Sequence, residues 1–168
     1  SESNFDKLAG SASSAGIMFG TSGGVLESVL RTAYYLMNNE QMPKNLLNQN
    51  MNNDELFKEN EYDFKKIKLK VAKVCTMAEL QKIDIHKYHL IEVMACPGGC
   101  INGGGQPLVA NNMNDENRNE KSKRLIAFDK EKNIRNSFDN EEIKDIYKYD
   151  IGSPGGKTSK KKLHTNII

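Results

Sequence analysis

The feature that most constrains this chain is the run Glu92-Val-Met-Ala-Cys-Pro-Gly-Gly-Cys-Ile-Asn-Gly-Gly-Gly-Gln-Pro107. Cys96 and Cys100 flank Pro97, Gly98 and Gly99, and Gly103, Gly104 and Gly105 follow at once. Such a segment is a poor helix or strand interior, because glycine loses the most backbone freedom on ordering and proline lacks a donor. It suits a tight loop in which backbone approaches a bound group closely and N–H groups point inward. Two thiolates on such a backbone match the needs of an iron–sulfur group, which takes thiolates on iron and amide donors on sulfide. Zinc also takes thiolates, but a structural zinc site wants four ligands. Cys75, His86, His89 and His164 are the other donors, and they show no second pair at ligand spacing.

Composition limits the alternatives. The chain has 168 residues, room for about one domain. It is 38% hydrophobic and 27% charged, polar for a globular domain yet able to form a core. Lys plus Arg number 24 against 22 Asp plus Glu, a formal net charge of +2. A phosphate backbone is met by a strong basic excess, so nucleic acid is not an expected partner. No stretch reaches the roughly 20 apolar residues of a membrane-spanning helix, so no membrane partner is expected. Three cysteines, an odd number, do not read as a disulfide framework. A reduced setting is expected, cytoplasmic by default. Cys75 reads as a small buried hydrophobe. The chain opens on Ser1 and runs at once into mid-domain sequence, so a fragment is expected.

Periodicity places the loop in an α/β frame. After a Ser/Gly/Ala-rich start, Ile17 to Gly24 forms a glycine-rich turn. Val25, Leu26, Val29, Leu30, Ala33, Tyr34 and Met37 then recur at helical spacing, with Thr21 or Ser22 as the expected cap. Glu27 and Arg31 stand at i,i+4 and are expected to pair on the outer face. Leu46, Leu47, Leu56 and Phe57 read as short helical turns. Ile67, Leu69 and Val71 alternate with lysines, which predicts a strand with one wet face near a sheet edge. Residues 76–85 read as a short helix and 88–95 as a buried strand, so 66–95 reads as a βαβ unit with a parallel pair. Parallel sheets place ligands at the carboxyl ends of their strands, where Cys96 falls. Two asparagine-rich tracts, 45–53 and 111–119, read as loops. Helical patterns follow at 118–131 and 139–149, where Ile143, Ile146 and Tyr147 share a face. The Lys-rich tail after Gly152 reads as solvated.

Glu92 to Pro107 resembles the third signature motif of the iron-only, or [FeFe], hydrogenases. Phe19-Gly-Thr-Ser-Gly-Gly-Val-Leu-Glu-Ser-Val-Leu-Arg-Thr-Ala-Tyr34 is similar to the helix-initiating segment upstream of that motif. Arg124 to Tyr147 resembles the family's closing helices, and Leu163-His164-Thr165 fits as well. The resemblance implies an α/β fold, a parallel sheet with flanking helices, forming the C-terminal lobe of a two-lobed catalytic domain. It divides the chain into catalytic-domain sequence at 1–110, a linker at 111–120 and a small-subunit-like region at 121–168. It further implies a cofactor made of a 4Fe-4S cluster joined through a cysteine sulfur to a two-iron subcluster. By position, Cys96 matches a cubane ligand and Cys100 the bridging ligand. Met94 matches a residue packed on the two-iron unit, and Phe19 with Gly20 another part of that pocket wall. The implied reaction is reversible reduction of two protons to H2, with electrons from ferredoxin or NAD(P)-linked subunits.

The family supplies two further cluster cysteines from a Thr-Ser-Cys-Cys-Pro-type and a Pro-Cys-x-x-Lys-type motif, and neither occurs here. The missing N-terminal portion of the same domain is therefore an expected partner, and this piece alone is expected to be inactive, with no catalytic residue of its own. Two other readings share the cysteine motif. Narf-type iron–sulfur assembly proteins usually carry Ser where Gly98 stands and a different helix after the Ser-Gly-Gly turn. A hydrogenase-related H2 sensor is the third reading, and for such a family a hydrogenosome or the periplasm are the alternatives to the cytoplasm.

Overall fold

The structure is a computed structural model that describes residues 10–47, 55–65, 67–106 and 115–164. The asparagine-rich positions 48–53 and 111–114, Pro107 and Thr165 lie outside these residues. Three helices precede the sheet, of which the first two, α1 (Ser14–Met18) and the longer α2 (Gly24–Asn38), are joined by the glycine turn. Helix α3 (Lys44–Leu47) supplies the turn expected around Leu46 and Leu47. Leu56 and Phe57 do not form a helical turn. Phe57 instead opens strand β1 (Phe57–Asp63), which the sequence reading missed because its polar residues alternate without an apolar face.

Strand β2 (Lys68–Cys75) is central rather than at the sheet edge. It pairs antiparallel with β1, and parallel with β3 (Leu90–Met94) in the register Val71–Leu90 to Cys75–Met94. The parallel pair is the expected one, and β1 makes the sheet mixed. The short helix α4 (Met77–Leu80) lies in the crossover, with the Thr76 side chain accepting from the Glu79 N–H at 3.3 Å. The lysine alternation misled the reading because it holds only at the start of β2. From Val71 onward every residue is buried, Lys73 included.

The core forms where α2 lies on one sheet face. Leu26, Leu30 and Tyr34 recur at helical spacing and meet Val71, Tyr62, Phe64 and Met42, with Leu69 and Leu90 at the margin. Tyr34 and Phe64 make an edge-to-face contact at 5.1 Å between ring centroids. Each such leucine contributes about 1.5–3 kcal/mol through removal from water. Helix α5 (Asp115–Glu131) packs on α1 and begins inside the 111–120 stretch read as a linker. Helix α6 (Glu141–Ile146) runs into a π-helical turn at Tyr147–Ile151, and Ile146 on its expected apolar face is 45% exposed. The Lys-rich tail folds as helix α7 (Lys157–Leu163), its Ser159 hydroxyl buried and donating to the Ser153 carbonyl at 2.8 Å.

Candidate functional site

The cysteine loop leaves the carboxyl end of β3 and is held by backbone. Gly98 and Gly99 take φ of +79° and +95°, a region that favours glycine, and the Gly99 N–H donates to the Cys96 carbonyl at 3.0 Å. Cys100 then opens a 3-10 turn that ends at Asn102. Two long-range hydrogen bonds bind this loop to the turn before α2. The Ser22 N–H donates to the Gly98 carbonyl at 3.0 Å, and the Ile101 N–H donates to the Gly20 carbonyl at 3.0 Å. Contact is so close that a Cβ on Gly99 would lie 2.5 Å from the Ser22 nitrogen and 2.7 Å from the Gly20 oxygen.

The two motifs singled out in the sequence thus meet in space. Cys96 is half-buried and Cys100 exposed, both with free thiols, and Met94 is half-buried at the end of β3. Phe19 is 43% exposed on the facing turn. Gly20 packs under Ile101 and Leu125, with Ile101 Cγ2 3.3 Å and Leu125 Cδ1 3.4 Å from where its Cβ would stand. Cys75, fully buried, lies beneath the same turn with its sulfur 3.4 Å from the Ser22 hydroxyl.

Helix α2 is not capped by Thr21 or Ser22. Thr21 Oγ1 donates to the Met18 carbonyl at 3.0 Å, and Gly23 occupies the cap position. The cap comes from the sheet: the Glu92 carboxylate accepts from the Gly23 N–H at 2.5 Å and the Leu26 N–H at 2.6 Å. A carboxylate there meets both the unpaired amides and the positive end of the helix dipole. Burial raises the Glu92 pKa, while these N–H donors pull it back. Lys73 pairs with Glu92 in the strand register, and its own pKa is lowered by burial. Glu92 therefore fixes the entrance of α2 against the strand that ends at the thiol loop.

Glu27 and Arg31 do pair, but in the interior rather than on the outer face. Arg31 binds Glu27, and it also reaches Asp129 of α5 at 3.0 Å and 2.7 Å. Arg135 adds bonds to Asp129 at 3.2 and 2.6 Å, and the Ser14 hydroxyl donates to the same carboxylate at 2.6 Å. Glu27, Arg31 and Asp129 are all less than 5% exposed. Burial alone would raise the Asp129 pKa, but the Arg31, Arg135 and Ser14 hydrogen bonds outweigh it and hold the carboxyl at about 2. Glu27 is raised by burial, and its second oxygen has no hydrogen-bond partner. Helical spacing alone could not reveal this cluster, because its partners lie 98 and 104 residues from Arg31.

Among the described residues no set of three His, Cys, Asp or Glu is placed to hold a metal ion. His86, His89 and His164 are exposed, and the His89 Nδ1 accepts from the Lys70 N–H at 3.0 Å. The described chain therefore assembles no four-ligand zinc site. Cys96 and Cys100, free thiols on one short loop, are donors of the kind an iron–sulfur cluster takes, and a four-iron cluster would need further cysteines from elsewhere.

Residues 1–104 match the family "Iron only hydrogenase large subunit, C-terminal domain", and residues 115–166 match "Iron hydrogenase small subunit". The chain belongs to the iron-only hydrogenase family. It is 33% identical over 186 residues to the NADP-reducing hydrogenase subunit HndD of Solidesulfovibrio fructosivorans, covering 99% of this chain and 29% of that protein. A probable cytosolic Fe-S cluster assembly factor, narfl, of Dictyostelium discoideum is 33% identical over 110 residues, 62% of this chain and 20% of the relative. Among solved structures, an apo form of the [FeFe]-hydrogenase HydA1 from Chlamydomonas reinhardtii superposes with a TM-score of 0.68 at 27% identity, covering all of this chain and 49% of that one. The chain thus spans less than a third of the curated relatives' length. Family membership implies iron–sulfur chemistry. No helix among the described residues is long and apolar enough to cross a membrane.

Proposed function

We propose that this chain is the C-terminal part of the catalytic domain of an [FeFe] hydrogenase and supplies Cys96 and Cys100 as two of the ligands of its iron–sulfur cofactor. The observation that supports the reading is the backbone clasp between the Gly98–Ile101 loop and the Gly20–Ser22 turn, which fixes the segment carrying Cys96 and Cys100 at the end of β3. In this reading Cys96 ligates the 4Fe-4S cluster, and Cys100 ligates it and bridges to the two-iron subcluster. Met94, Phe19 and Gly20 line the neighbouring wall. When bound, the cofactor supplies the redox chemistry of 2H+ + 2e− to H2. The chain's own work is to fix the two thiolates, keep the loop free of side chains and hold α2 in place through Glu92. In this reading residues 1–110 belong to the catalytic domain and 121–168 to the small-subunit-like region, with α5 running into that region from Asp115 rather than a linker over 111–120. The partners are the upstream part of the same domain and a ferredoxin or NAD(P)-linked electron carrier, in the cytoplasm. Joined to its upstream part and matured, the protein is expected to evolve H2 and show two-iron infrared bands, and Cys96→Ser or Cys100→Ser to abolish both. Absence of both signals from the intact protein overturns the reading.

The likeness to a cluster assembly factor supports a second reading, an assembly or sensing role without turnover. It requires iron bound through the same two cysteines with no H2 production, so the same experiment separates the two.

A further inference from the structure

Helix α5 touches the thiol loop directly. The Lys121 ammonium, on a half-buried side chain, donates to the Ile101 carbonyl at 3.3 Å, one residue beyond Cys100. One turn further on, Leu125 and Ile101 close over Gly20 from two sides. One more turn on, Asp129 is locked to Arg31, Arg135 and Ser14. Lys121, Leu125 and Asp129 are spaced by four, so they form one stripe of α5. Asp129 sets the height and rotation of the helix, and that setting brings Lys121 to the loop. The loop's own backbone bonds leave the Ile101 carbonyl to this ammonium, while its N–H goes to Gly20.

We propose that Lys121 is a positioning residue: from the small-subunit-like helix it holds the Ile101 carbonyl and so keeps the Cys96–Cys100 loop seated on the Gly20–Ser22 turn. Its bearing on iron rests on the function proposed above, but the seating of the loop does not. A charge-assisted bond of this kind outlasts a neutral one when partly shielded from water. Local opening of a loop held by few contacts is sensitive to losing one of them. The two halves of the family pattern, 1–104 and 115–166, would then meet at the site itself rather than only in the core.

The test is amide hydrogen exchange on the full chain, comparing wild type with Lys121→Met, Lys121→Arg and Leu125→Ala. Lys121→Met keeps the stem and removes the charge, and it should speed exchange at Ile101, Asn102 and Gly103 by about fivefold. Exchange across Val71–Val74 should stay unchanged, and Lys121→Arg should restore the loop. Leu125→Ala should open the same amides by removing the packing over Gly20. Unchanged loop exchange in Lys121→Met overturns the proposal. So does an increase shared equally with the sheet, or a failure of arginine to restore the loop. Iron retention by the intact protein is a separate readout: its loss in Cys96→Ser and Cys100→Ser alone, with an unaltered loop in Lys121→Met, rejects the positioning role and leaves the iron reading standing.

Discussion

Two regions of this molecule are fastened by opposite means. The α2–α5 junction is held by side chains, with Arg31 and Arg135 gathered on Asp129 in the interior. The thiol loop is held by backbone, through Ser22 to Gly98 and Ile101 to Gly20, with glycine wherever a Cβ would collide. The junction depends on charges being complete, since a buried ion left without its partner is costly. The loop depends on the absence of a Cβ at Gly99, where backbone meets backbone, and its side-chain bonds run to carbonyls: Asn102 to Pro97 and Lys121 to Ile101.

The strongest way to break this contrast is Arg31→Met. It strips Glu27 of its guanidinium partner in the interior, leaves Asp129 with Arg135 and Ser14 only, and should cost about 3–5 kcal/mol by urea denaturation. A loss under 1 kcal/mol would mean that the cluster adds little. Gly99→Ala attacks the other region. The new methyl meets backbone on the facing turn and must sit at positive φ, so a loss of about 1–3 kcal/mol is expected, with faster amide exchange at Ser22 and Ile101. Unchanged exchange there would show that the clasp tolerates a side chain.

Acid titration separates the buried carboxylates by sign, within the Arg31 cluster as well as between it and Glu92. The folded Asp129 carboxyl, at about 2, lies below its unfolded value of 3.8. Its contribution, about 2 kcal/mol, is present above pH 4 or so and lost as pH falls through about 2. Glu27 and Glu92, both raised by burial, act the other way. They oppose folding as pH rises past the unfolded carboxyl range, and acidification toward that range relieves them. Stability measured by denaturation across pH 2 to 7 should therefore fall steeply at the acid end, and Asp129→Asn should flatten that limb. The smallest effect is expected from Glu92→Gln, which keeps one acceptor oxygen for either Gly23 or Leu26, gives up the other, and removes the charge at the helix dipole. A change of about 1 kcal/mol, read as faster exchange at the first turn of α2, is the expected outcome.

Much of the site was legible in the linear pattern. Cys96, Cys100 and their glycines announced a close-packed loop, and the periodicity after Gly24 announced α2. The β2–β3 pair followed from two apolar runs around a short helix. The pattern failed where chemistry and position conflict. Lys73 looked wet and is buried, Glu27 and Arg31 looked external and are internal, and β1 carried no apolar stripe to betray it. Each of these depends on what another segment covers, and covering is not encoded in local periodicity.

By itself, then, the sequence determined the chemical content of the site: thiols, glycines and a helix start at fixed spacing, because backbone freedom and ligand type belong to single residues. Only the tertiary structure decided who meets whom. It placed Glu92 on α2 across 69 and 66 residues, Asp129 on Arg31 across 98, and Lys121 on the Ile101 carbonyl across 20. The physical reason is that burial and pairing are collective. A charge becomes stabilising or costly only once the fold has removed water from around it and supplied its partner.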